Sequence, residues 1–182
     1  HVLITGQSLS TGAVAAVLSS AQPFGNLAFN TGVRAGGSGL SSFVPLVESW
    51  NGGEGETIAS GLANSTWELT RRGGGTPGPM LVSAHGVGGQ PYSVLKKGTY
   101  PYANGIAQIA AGTNLSTAAG QSYALRAVMV VHGESNHLGG NTAYEADLVE
   151  WQRSYEQDAA ALLGRKGILP MFVCQMSSHT IL

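Results

Sequence analysis

Val2-Leu3-Ile4-Thr5 is a β-branched, largely apolar run, and Gly6-Gln7-Ser8 follows it directly. Such a run reads as a strand buried on both faces. Glycine supplies the sharp backbone turn at its end. Ser8 then stands at the carboxyl end of the first strand, where open α/β sheets place their chemistry. A second strand end has the same character, because Ala127 to Val131 runs into His132-Gly133-Glu134-Ser135-Asn136. Two strand ends carrying polar, catalysis-capable residues read as one site, and the serine makes a hydrolase the first expectation.

Three further short apolar runs read as strands: Leu27 to Asn30, Met80 to Ala84 and Met171 to Cys174. Helical patterns lie between them. Glu56 to Leu69 carries Ile58, Leu62, Thr66 and Leu69 on one stripe, and Asn104 to Ala111 gives a shorter helix. The clearest helix is Ala143 to Leu163, where Leu148, Trp151, Tyr155, Ala159 and Leu162 recur at three- and four-residue steps. Gly164-Arg165-Lys166-Gly167 closes it, with a glycine for a left-handed cap and cations at the carboxyl end. Strands alternating with helices predict an α/β fold. Segments 35–42, 51–55 and 71–79 are rich in glycine, serine and proline and read as loops, lining a cleft or simply inserted at the surface.

The 182 residues fit a single domain, residues 1–182, large enough to bury about 70% of the surface of its unfolded chain. Charged residues make up 10% and the net charge is -1, so no basic stripe exists to track phosphates and nucleic acid is not an expected partner. No apolar run reaches the roughly 20 residues of a membrane span. The single cysteine, Cys174, lies in an apolar run and is expected to be a buried, inert thiol. Abundant Gly, Ser, Thr and Asn with little lysine is similar to secreted or phage-borne carbohydrate-active proteins.

A serine needs a general base and an oxyanion hole to act as a nucleophile. His85-Gly86-Val87-Gly88-Gly89-Gln90 follows a strand, and its glycines would bring backbone N–H groups near a developing oxyanion. The same turn would suit a phosphate, but the dinucleotide spacing and the downstream acidic residue are missing. Asn136 and His132 can each donate to an oxyanion, and asparagine equally caps turns. Glu134 reads as an anchor for loop N–H groups or as a solvated carboxylate. His85, His132, His137 and His179 are the candidate bases. No metal is expected: His132 and His137 flank Glu134 without the helical spacing of a His-Glu-x-x-His site.

Taken in order, these blocks resemble the SGNH hydrolases, within them the carbohydrate esterases related to sialate O-acetylesterase and acetylxylan esterases. Gly6-Gln7-Ser8 matches the first block of that group. Gly88-Gly89-Gln90-Pro91-Tyr92-Ser93 is similar to the middle block, and His132-Gly133-Glu134-Ser135-Asn136 to the third. A long Tyr- and Trp-bearing helix and a Leu169-Pro170 strand follow, as in the family. The resemblance implies a three-layer α/β/α, flavodoxin-like parallel sheet and hydrolysis of an acetyl ester on a carbohydrate without cofactor. It implies Ser8 as nucleophile and an oxyanion hole from the Ser8 N–H, a glycine N–H at Gly88 or Gly89, and a side chain of the third block, His132 or Asn136. Gln7 and Glu134 would support these residues from behind.

Two departures stand out. His132 occupies the position usually held by glutamine, and the family's Asp-x-x-His motif occurs nowhere in the sequence. The sequence reading therefore expects the domain to lack its last strand or helix and its catalytic-histidine segment, supplied from beyond Leu182 or by another chain. The competing expectations are a non-catalytic carbohydrate-binding or phage tail module on the same fold, and a nucleotide-binding domain using the Gly86–Gly89 turn.

Overall fold

The computed structural model describes residues 1–164 and 167–174. Its strands are β1 (Val2–Gly6), β2 (Leu27–Phe29), β3 (Phe43–Pro45), β4 (Val82–Ala84), β5 (Ala127–Val131) and β6 (Met171–Val173). Its helices are α1 (Ile58–Arg72), α2 (Tyr92–Leu95), α3 (Tyr100–Ala118), α4 (Glu134–Leu138) and α5 (Tyr144–Leu163). The central sheet runs in the order β4-β1-β5-β6, every pairing parallel. Register from Val2↔Ala127 to Gly6↔Val131 sets the ends of β1 and β5 side by side, which brings the first and third sequence blocks together. The antiparallel pair β2–β3 joins the edge at β4 through a bridge from Leu27 to Leu81.

Side chains alternate along each strand, and the alternation sorts two cores. Val2 and Ile4 join Val82, Ala84 and Ala127 against Ala59 and Ala63 of α1. Leu3, Val128 and Val130 face the other way, onto Ile109 of α3 and Trp151 and Tyr155 of α5. Helices thus cover both faces of a parallel sheet, a flavodoxin-like three-layer α/β/α fold.

Differences from the sequence reading have local causes. α1 starts at Ile58 because Thr57 Oγ1 accepts the Ala59 N–H at 3.0 Å, and Arg71 and Arg72 finish the helix rather than open a loop. α3 is far longer than residues 104–111. Thr99 caps it, Pro101 sits in its first turn, and Gly105 and Gly112 interrupt the apolar stripe on which a periodicity reading depends. β3 went unanticipated, since Pro45 reads as a breaker although an edge strand tolerates it. α5 closes as expected on Gly164 in the left-handed conformation, and Arg165 and Lys166 lie outside the described residues. Cys174 is exposed, not buried. It follows β6, which among the described residues pairs with β5 alone, and Phe172 and Val173 are exposed there too.

Candidate active site

Ser8 is presented by a constrained turn. Gly6 has φ 136°, and a Cβ there would lie 2.0 Å from the Val131 carbonyl oxygen, so the strand end accepts only glycine. The Gln7 N–H donates to that same Val131 oxygen at 3.0 Å. The chain then enters a short 3-10 helix, Ser8–Thr11, ended by Gly12 at φ 81°. Ser10 Oγ donates to the Gln7 carbonyl at 2.7 Å, and Thr11 Oγ1 donates to the Ser8 carbonyl at 3.0 Å. Ser8 itself is half-buried. A hydroxyl on so pinned a turn is held in place before any ligand arrives.

The loop after β4 forms one side. Its His85 N–H donates to Ile4 O at 3.0 Å and its Val87 N–H to Gly6 O at 2.9 Å, which ties it to β1. Gly86 has no room for a side chain, because a Cβ there would meet Ser10 Oγ at 1.9 Å. Gly88 is the residue brought against the serine: a Cβ on it would lie 3.7 Å from Ser8 Cβ. Gly89 is exposed at φ 68°, with nothing within 4 Å of a Cβ position, so its backbone is open to a ligand.

The third block forms the other side, and it is a helical turn rather than a bare loop. Gly133 at φ 144° starts α4. The Ser135 N–H donates to Gln7 Oε1 at 3.2 Å. Asn136 is buried, and its Oδ1 accepts the Tyr92 N–H at 2.7 Å. Beside it opens a cleft of about 350 Å³ lined in part by Tyr92, Lys96, Asn141 and Asp147. One Glu134 oxygen, Oε2, is buried without a partner among the described residues.

The histidines divide sharply. His132 is buried; its Nε2 donates to the Gln90 carbonyl at 3.0 Å and its Nδ1 accepts from the Tyr144 hydroxyl at 2.7 Å. Burial pulls its pKa below the usual histidine value, against the opposing Gln90 carbonyl and Glu134 charge. The ring is neutral and both nitrogens are engaged, so His132 holds no donor toward an oxyanion at Ser8. His85 is buried with Nε2 hydrogen-bonded to Tyr155 Oη at 2.7 Å, and desolvation lowers its pKa to about 3. His137 is exposed on α4. His179 lies outside the described residues.

One constellation escaped the sequence reading. The single Thr11 hydroxyl proton is shared between the Ser8 carbonyl and Glu54 Oε1, the latter at 2.6 Å, and Glu54 Oε2 lies 3.6 Å from Arg34 Nε. Nothing local in Asn51-Gly52-Gly53-Glu54-Gly55 points that carboxylate at the serine turn. Among the described residues, no cluster of three His, Cys, Asp or Glu side chains could hold a metal ion, and no helix is long and apolar enough to cross a membrane.

The fold is similar to that of solved structures. The structure is similar to that of an Arabidopsis thaliana protein, with TM-score 0.62 and 15% identity, over 94% of this chain and 72% of that one. It is also similar to a carbohydrate acetylesterase from Xanthomonas citri, with TM-score 0.50 and 15% identity, over 94% of this chain and 40% of the esterase. At that identity the likeness is one of fold, and fold alone does not fix function. No family model matches the sequence, and no curated protein matches it.

Proposed function

We propose that the protein is a serine esterase that removes O-acetyl groups from carbohydrate. The observation that carries this reading is Ser8 on a pinned turn at the end of the central strand, with Gly88 against it and the Asn136 turn tied to Gln7. The structural likeness to a carbohydrate acetylesterase supports it. Ser8 Oγ attacks the acetyl carbonyl carbon while a histidine base takes its proton. The Ser8 N–H, the Gly88–Gly89 backbone and Asn136 Nδ2 are the donors for the tetrahedral oxyanion. The C–O bond to the sugar breaks, the sugar oxygen takes the proton from the base, and water then releases acetate from the acyl-serine. With His132 and His85 engaged or buried, the base is proposed to come from the Asp-x-x-His segment that the resemblance implies.

The test is p-nitrophenyl acetate hydrolysis together with labelling by a fluorophosphonate probe. Hydrolysis that disappears in Ser8→Ala, with labelling confined to Ser8, is the expected result. The engaged state of His132 favours a second reading, a non-catalytic carbohydrate-binding module. Saccharide binding without hydrolysis or labelling would establish it in place of the first.

A further inference from the structure

A loop that the proposed reaction does not use is built onto the serine's helix. The Gly55 N–H donates to Gly12 O at 2.8 Å, and the Val14 N–H donates to Gly53 O at 3.2 Å. Arg34 braces the loop, with Nη1 donating to Gly55 O and Nη2 to Ser49 O, each at 2.6 Å. Through Glu54 and Thr11 this brace reaches the Ser8 carbonyl. A path of hydrogen bonds and one ion pair therefore runs from the proposed nucleophile's residue to Ser49, the residue preceding Trp50.

Trp50 is 61% exposed, yet it is not loose. A Cβ at Gly55 would lie 3.0 Å from Trp50 Cε3 and 1.9 Å from Ala15 O, so only glycine lets the indole and the serine loop close on each other. Val14, whose N–H donates to Gly53 O, is exposed with φ 55°, a conformation that disfavours a β-branched residue. An exposed indole packed against Gly55, on a loop hydrogen-bonded to the serine helix, offers a flat apolar face to a ligand. The ring's neighbours in sequence are Asn51, Gly52, Gly53 and Glu54, polar or without side chains. An aliphatic chain would need a continuous apolar trough; a sugar needs one flat apolar face and hydroxyl partners around it.

We propose that Trp50 is a stacking platform for a pyranose ring of the substrate, flanked by Asn51 and Glu54 as hydroxyl partners. This rests on the esterase reading and adds a specificity residue to it. The test compares Trp50→Ala and Trp50→Phe with the unaltered chain on p-nitrophenyl acetate and on a partially acetylated xylo-oligosaccharide. A parallel calorimetric titration uses the same oligosaccharide on the Ser8→Ala background. KM for the oligosaccharide is expected to rise about ten-fold more than KM for p-nitrophenyl acetate in Trp50→Ala, with partial recovery in Trp50→Phe and a matching loss of binding. Equal losses on both substrates would make Trp50 a structural support and overturn the proposal, as would unchanged oligosaccharide KM and affinity. If the protein supplied with the Asp-x-x-His segment hydrolyses neither substrate, the esterase reading fails, and the titration alone decides whether Trp50 binds saccharide.

Discussion

The Ser135 backbone N–H donates to Gln7 Oε1 at 3.2 Å, joining the turn after β5 to the residue before Ser8. Gln7 is buried and Ser135 half-buried, so this bond is partly shielded from water. Replacing Gln7 by Ala leaves the Ser135 donor without that partner and frees the third block to shift against the serine. The expected result is a loss of about 1 kcal/mol in urea unfolding. Acetyl-ester turnover should fall roughly 10- to 100-fold, mostly in kcat. Unfolding unchanged and turnover intact would mean the two turns are held by other contacts.

Asn136 carries amide N–H donors that suit an oxyanion beside Ser8. Its Oδ1 is engaged by the Tyr92 N–H while His132 is engaged through both ring nitrogens. Asn136→Ala should cost about 100- to 1000-fold in kcat for p-nitrophenyl acetate. Asn136→Asp keeps the acceptor to Tyr92 but loses the donors, so it should fold yet stay equally slow. Full activity in Asn136→Asp would remove Asn136 from the oxyanion hole.

His85 gives the fold a defined response to acid. Burial lowers its pKa from 6.5 to about 3, so between those values the unfolded chain binds a proton that the folded chain refuses. Stability present above pH 6.5 is therefore lost progressively as pH falls toward 3. His85→Gln keeps a polar partner for Tyr155 and does not titrate. Denaturant unfolding at successive pH values should show its slope in this window reduced by about one proton, about 1.4 kcal/mol per pH unit. Identical slopes in the two proteins would mean that His85 protonates without penalty.

Much of this protein could be read directly from local pattern. The β-branched run before Gly6 and the run ending at Val131 form adjacent parallel strands, because a stretch apolar on both faces has few stable places outside a covered sheet. The three- and four-residue steps from Leu148 to Leu162 form α5 to its final residue, since that spacing lays one apolar stripe along a helix. Ser8 at a strand end follows from the same local logic. α3 was only partly legible, because its glycines serve close packing and hide the stripe.

What the tertiary structure decided is which polar groups remain available. His132 looks like an oxyanion donor until α5 brings Tyr144 to its Nδ1 and the middle block brings the Gln90 carbonyl to its Nε2. His85 looks like a base until Tyr155, 70 positions away in sequence, meets it in the core. Cys174 reads as buried, but it follows β6 among exposed neighbours, Phe172 and Val173. Arg34, Glu54 and Thr11 lie far apart in sequence and become one brace only when the loop folds onto the serine helix. Backbone conformation follows from neighbours within a few residues, whereas desolvation and hydrogen-bond partners depend on which distant elements the sheet order places side by side.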